Sequence, residues 1–342
     1  MRKTHRTASA QTDFQETRMR KFFWLTTLSV LFMGRCALAQ FQPEVVYGDD
    51  DRLDLYQVKD ARVLKLADST VALFEAGSVS RPLLRRQARL ATQPYGKSGN
   101  LCKEEPFYDQ ETGAFCSGSL IAPDIIMTAG HCVKSAVDCR GTKFVFGFGI
   151  KKAGQMPKTV PASEVYGCAG IIARAQENAG ADWALIKLDR IVKNHAPLAL
   201  HRTNDIANGA ELFVIGHPAG LPTKVAGGAR ARDVSPQGYF VANLDTYGGN
   251  SGSAVFNAAS GLIEGILVRG EVDYVEKDGC RVSNKCPVDG CRGEDVTKMS
   301  AVIPHIPPVM SRRNLARAVP LGGRLPAVLE ELGVPDFDTN RL

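Results

Sequence analysis

Eleven short apolar runs, three to eight residues long, recur between residues 70 and 303, and Gly, Pro, Asn and Asp punctuate the stretches between them. Six come first, at 70–74, 118–121, 125–128, 144–148, 165–172 and 183–188. Five follow, at 212–215, 239–242, 254–256, 262–268 and 299–303. Runs this short, closed by turn residues, leave almost no room for long amphipathic helices and predict an all-β barrel or sandwich. Residues 190–201 read as the crossover between the two series. Residues 80–99 read as a basic, mobile loop. The best helix candidate is a short one near the C-terminus, 325–332 (LPAVLEEL).

The N-terminal end reads as a leader. An apolar run of twelve, FFWLTTLSVLFM at 22–33, follows Arg18, Arg20 and Lys21 and precedes Ala37-Leu38-Ala39, a small-x-small cleavage signature. Twelve residues are too few to span a bilayer comfortably. Residues 1–39 are therefore expected to be a secretory signal, with translation starting at Met19, and the protein to be secreted or periplasmic. The formal charge of +6 is mostly the leader's, since residues 1–39 carry seven Lys/Arg against two Asp/Glu and leave the remainder near +1. Charge thus gives no reason to expect nucleic acid, or a membrane surface once the leader is gone. Of nine cysteines, Cys36 leaves with the leader and eight remain, an even number that reads in an exported chain as up to four disulfides. Zinc is the lesser reading, because no C-x-x-C pair is present.

Three segments carry chemistry: Thr128-Ala129-Gly130-His131-Cys132, Asp182-Trp183-Ala184-Leu185-Ile186 and Gly248-Gly249-Asn250-Ser251-Gly252-Ser253. A serine hydroxyl becomes a useful nucleophile when a neutral imidazole can take its proton, and a carboxylate then holds the imidazole's tautomer. Glycines before the serine let the backbone N–H groups of Gly249 and Ser251 converge on a developing oxyanion. Taken singly, His131 is a structural histidine, Asp182 a turn residue and the glycine run a hairpin loop. Their joint occurrence, in the order His, Asp, Ser, outweighs those readings. An α/β-hydrolase would require Ser before Asp before His, and a glycine at Ser253. The other histidines of the mature chain, His195, His201, His217 and His305, read as surface or loop residues.

Phe115-Cys116-Ser117-Gly118-Ser119-Leu120 with TAGHC, DWALI and GGNSGS resembles the trypsin-like peptidases of the chymotrypsin-fold superfamily. Asn250 and Ser253 bring it nearer to their bacterial glutamyl-endopeptidase branch, and residues 45–52 (VVYGDDDR) look like that branch's mature N-terminus. The resemblance implies two six-stranded antiparallel β-barrels, the first over about 45–190 and the second over about 200–310, followed by an extension at 311–342. It implies the triad His131, Asp182 and Ser251, an oxyanion hole from Gly249 and Ser251, and a Cys116–Cys132 bridge. Val268, Arg269 and Gly270 would form the edge that pairs with substrate backbone. Polypeptides are the expected partners, a monomer the expected state, and no metal or cofactor is called for. Cys139 with Cys168 is a further expected pair, while Cys102, Cys280, Cys286 and Cys291 allow three connectivities.

Two departures from the family pattern matter. Asn250 has no charge with which to form the buried carboxylate–amine bridge that activates digestive zymogens. The branch's glutamate-binding histidine aligns with Leu267. In trypsin-like enzymes the residue six before the nucleophile lies at the base of the primary pocket; the resemblance implies Asp245 for that place, which favours cleavage after Arg or Lys. The plainer alternative is that Asp245 caps its loop through backbone hydrogen bonds or pairs with an arginine such as Arg269. A narrow toxin-like peptidase or esterase, and a silent homologue that only binds protein, are the rival functions. Residues 40–44 read as a short pro-segment. N-terminal sequencing of fully active enzyme should return Val45; a return of Gln40 would show that a second cut after Glu44 is not needed.

Overall fold

The structure is a computed structural model and describes residues 45–81, 86–203 and 206–308 of the 342. The leader, the pro-segment at 40–44, the helix expected at 325–332 and the extension at 311–342 lie outside the described residues. Twelve strands build two closed six-stranded antiparallel barrels. The first contains β1 (Thr70–Glu75), β2 (Cys116–Ala122), β3 (Ile125–Thr128), β4 (Thr142–Phe146), β5 (Val165–Gln176) and β6 (Asp182–Leu188). The second contains β7 (Glu211–Gly216), β8 (Lys224–Asp233), β9 (Tyr239–Ala242), β10 (Ala254–Asn257), β11 (Ile263–Arg269) and β12 (Glu294–Lys298). Pairing runs β1-β2-β3-β6-β5-β4 and back to β1 in one barrel, and β7-β8-β9-β12-β11-β10 and back to β7 in the other. The two circuits follow the same path, so the same topology is used twice.

The apolar runs are continuous rather than alternating because many strands are buried on both faces. Side chains alternate across a strand. On β7, Leu212 and Val214 join Phe240, Val255, Leu267 and Val296 in the second barrel's own core. Their neighbours Phe213 and Ile215 join the other cluster, which also holds Leu73, Leu120, Ile126, Phe144 and Ile186 of the first barrel. One strand therefore fills its barrel with one face and cements the two barrels with the other. Closure also removes the exposed edges that open sheets would present.

Two sequence expectations are corrected. The N-terminal segment, assigned to the first barrel, serves the second: Arg52–Asp54 extends the sheet beside β8, and Val46–Tyr47 pairs in parallel with Lys285–Cys286. Residues 86–99 of the expected loop are ordered into a strand, Gln87–Leu90, paired with Thr159–Pro161, and a helical turn, Tyr95–Ser98. The apolar Ala88 and Leu90 alternate with Gln87 and Arg89 and go into the core, a period-two signal hidden by the surrounding charge. The longest described helix is α1 (Ala61–Ala67), started by Asp60, whose side chain accepts from the Arg62 amide.

The eight cysteines form four bridges: Cys102–Cys280, Cys116–Cys132, Cys139–Cys168 and Cys286–Cys291. Cys102–Cys280 closes a loop of 178 residues and Cys116–Cys132 one of 16. In the chain-entropy limit these differ, about 5 kcal/mol for the long loop against about 3 kcal/mol for the short one. Urea unfolding of the paired Cys→Ser variants should therefore show the larger loss for Cys102/Cys280; an equal or smaller loss would mean that the unfolded chain is already compact there.

Candidate active site

The register of β3 against β6 sets the first half of the site. Thr128 faces Ala184, so the turn leaving β3 at Ala129-Gly130-His131 passes over Asp182 at the start of β6. Gly130 is required there, since a Cβ would stand 2.1 Å from Ala175 O and 2.9 Å from Asp182 Oδ1. Asp182 engages His131 twice: Oδ1 accepts the His131 backbone N–H at 3.1 Å, and Oδ2 lies 2.7 Å from Nδ1. The carboxylate is 5% exposed and the imidazole 14%, so solvent reaches the ring but hardly reaches its partner. This contact holds the Nδ1–H tautomer and leaves Nε2 as the acceptor.

Asp182 is held in turn by the other barrel. Thr297 on β12 donates its hydroxyl to Asp182 O at 2.9 Å and accepts the Asp182 N–H at 3.0 Å, both bonds being buried. Nothing in the sequence marked Thr297, because a threonine in a β-strand is unremarkable.

Ser251 lies in the loop between β9 and β10, and that loop is pinned from the first barrel. Ser117 on β2, fully buried, donates its hydroxyl to Gly249 O at 2.9 Å, accepts the His217 N–H at 2.9 Å, and donates its own N–H to Ser251 O at 2.9 Å. Asn250 N–H bonds Tyr247 O at 2.9 Å, and the Asn250 side-chain oxygen accepts from Ser253 Oγ at 3.1 Å. Gly249 has φ +105° and a Cβ there would meet His217 O at 2.7 Å, so only glycine fits. Among the described residues no acceptor is bonded to the Gly249 or Ser251 amides. Ser251 O lies 3.6 Å from Sγ of Cys132, the residue after His131. Ser251 and His131 are thus brought to one seam, without a hydrogen bond between their side chains among the described residues. Such bonds are often loose before substrate arrives.

Val268, Arg269 and Gly270 lie at the end of β11. Pairing with β10 stops at Ile266, while β12 still pairs with Arg269 through Asp295, so one side of 268–270 is open. Arg269 is committed to Asp295 at 2.9 Å and to Gly180 O at 2.8 Å. It therefore does not neutralise Asp245. Both Asp245 oxygens accept backbone N–H groups, from Tyr47 at 2.7 Å and Asp51 at 2.9 Å, while burial pushes its carboxyl up to about 7. Leu267 is fully buried in the second barrel.

Two of the histidines read as surface or loop residues lie in loops with their rings covered. His195 has its ring stacked 4.2 Å from Phe146, with Asp68 and Glu164 on its two nitrogens. His217 is 1% exposed behind the serine loop, its Nδ1 donating to Leu221 O at 3.0 Å. Burial, with Lys224 nearby as a lesser cause, pushes His217 down to about 4.

The family description "Trypsin-like peptidase domain" matches residues 116–266, a span that contains His131, Asp182 and Ser251. Among solved structures, the chain is similar to the inactive form of the Rv3671c protease of M. tuberculosis, with 14% identity over 74% of this chain and 94% of that one, at a TM-score of 0.41. A Glu endopeptidase in complex with MPD gives 18% identity over 80% and 100%, at a TM-score of 0.46. Likeness at that level says nothing about substrate. No curated protein matches the chain.

A His217 that stays neutral when folded but takes a proton near pH 6.5 when unfolded contributes stability that is present above pH 6.5 and lost as pH falls toward 4. That loss is on the order of 3 kcal/mol. Urea unfolding at pH 7 and pH 4 should show His217→Asn losing markedly less stability on acidification than the parent; parallel losses would place the acid sensitivity elsewhere.

Proposed function

We propose that this chain, which carries a trypsin-like peptidase domain, is an exported serine endopeptidase that works through an acyl-enzyme on Ser251. The observation that carries the proposal is the double engagement of His131 by Asp182, because it fixes ring orientation and tautomer together. In this reading Ser251 Oγ attacks the scissile carbonyl and His131 Nε2 takes its proton. Asp182 stabilises the imidazolium, and the unengaged Gly249 and Ser251 amides receive the oxyanion. His131 then protonates the leaving amine, and water, deprotonated by the same imidazole, releases the acid product. Residues 268–270 offer substrate an unpaired strand edge. Four disulfides fit an oxidising compartment. Among the described residues no helix is long and apolar enough to cross a membrane.

Cleavage after Arg or Lys is the specificity proposed. Buried Asp245 and Glu294 and half-buried Asp273 surround the loop that precedes Ser251: Asp273 accepts the Gly248 N–H at 3.1 Å, and Glu294 accepts from the Tyr47 hydroxyl (3.2 Å), Thr246 Oγ1 (3.5 Å) and the Glu271 N–H (3.4 Å). Burial raises the carboxyls of all three, and among the described residues neither Asp245 nor Glu294 forms an ion pair. A substrate cation would supply the missing charge, whereas a glutamate would add to the repulsion.

Ser251→Ala should lower kcat at least about 10⁴-fold without unfolding the protein. A Ser251→Ala variant that still digests casein like the parent ends the peptidase reading. For specificity, kcat/KM should favour Arg over Phe and Glu before the scissile bond, and that preference should shrink in Asp245→Ser; a parent that prefers Glu contradicts it.

A further inference from the structure

Arg52 takes no part in the chemistry above, yet its side chain is only 1% exposed. Its Nε and Nη2 donate to the two oxygens of Asp50 at 2.8 and 2.6 Å. The guanidinium carbon sits over the Tyr247 ring, 4.1 Å from its centroid, and the same ring is stacked on Tyr274 at 5.0 Å and 5°. Tyr247 thus contacts both a cation and an aromatic plane, an attraction that grows when the partners are desolvated.

Tyr247 is followed directly by Gly248 and Gly249, and its carbonyl accepts the Asn250 N–H at 2.9 Å. Two glycines in succession would leave the amide of Gly249 free to turn in several directions. The peptides beyond it are held by Ser117; before it the Gly248 N–H donates to Asp273 at 3.1 Å, and the start of that peptide is set by where Tyr247 is anchored. The N-terminal segment grips this approach at three consecutive residues. Tyr47 and Asp51 amides hold Asp245, Val45 O accepts the Thr246 N–H at 3.3 Å, and Arg52 covers Tyr247. Asn250 meanwhile is satisfied by Ser253 and carries no charge to bind an amine.

We propose that Arg52, clamped by Asp50 onto the face of Tyr247, is the positioning residue that aims the Gly249 N–H into the oxyanion hole. The inference rests on the serine-peptidase reading. It makes the segment 45–52 the part that orders the serine loop, in place of a carboxylate–amine bridge beside Ser251. Lysine cannot substitute, since it lacks the planar fork that both pairs with Asp50 and lies flat on the ring.

The test measures kcat, KM and the Kd of a peptide boronate, whose tetrahedral adduct uses the oxyanion hole. Arg52→Lys should lower kcat about 10²-fold with KM within about twofold, and weaken the boronate by the same factor as kcat/KM. In the same assays Tyr247→Phe should keep parental kcat, because the ring face is intact, whereas Tyr247→Leu should behave like Arg52→Lys. These tyrosine variants decide the matter if Arg52→Lys does not fold. Activity that falls only with the folded fraction, or Tyr247→Leu that matches Tyr247→Phe in kcat, overturns the positioning role. A parent protein that neither cleaves peptides nor is labelled at Ser251 by a fluorophosphonate would instead overturn the peptidase reading beneath it.

Discussion

Ser117 carries a hydroxyl into the seam between the barrels, where water cannot reach it and an unmade hydrogen bond costs on the order of 1–3 kcal/mol. Its partners are the Gly249 carbonyl and the His217 amide, both from the second barrel, and its own amide is bonded to Ser251 O. A strand of the first barrel thus holds the loop of the second. Thr297 returns the arrangement by gripping the backbone of Asp182 from β12. Each barrel fixes the candidate residue that the other contributes, so the spacing of the candidate site follows from satisfying buried polar groups across one interface. Two independently stable barrels would have no reason to keep that spacing to a fraction of an ångström.

Behind the serine loop, the structure concentrates groups that are costly to bury. Asp245, Asp273 and Glu294 are desolvated, and Arg52 is buried with its Nη1 unpartnered. A design for stability alone would fill this region with apolar side chains. Asp245 shows the compromise: its two backbone bonds favour the carboxylate, burial opposes it, and burial dominates.

The all-β class was legible because turn residues and short apolar runs report local structure directly, whereas the division into two six-stranded barrels came from the family resemblance. Runs such as Leu212 to Ile215 are uninterrupted by polar residues because both faces of the strand are buried. Other features were hidden. Ala88 and Leu90 are core residues inside a stretch whose charge made it look like loop. His217 does lie in a loop, as read from sequence, but nothing in its neighbourhood signalled that this loop is buried. Thr297 carried no local signal, and Arg52 and Ser117 stood inside matched motifs without a role, because an arginine, a serine or a threonine acquires its role only from the partner it meets. Asp245 could be read as pocket base or loop cap from sequence, and choosing between them requires knowing that Tyr47 and Asp51 lie within reach.

By itself the sequence determined the period of the strands, the places where glycine is obligatory, and the identity of the groups available for proton transfer. These follow from sterics and chemistry within a few residues along the chain. The tertiary structure alone decided which of those groups meet. Asp245 and Tyr47 are 198 residues apart, Ser117 and Gly249 are 132 apart, and Cys102 and Cys280 are 178 apart. Such pairings are set when two barrels close in a particular register and every buried donor must find whatever acceptor that closure brings to it, a constraint on the whole chain that no local stretch contains.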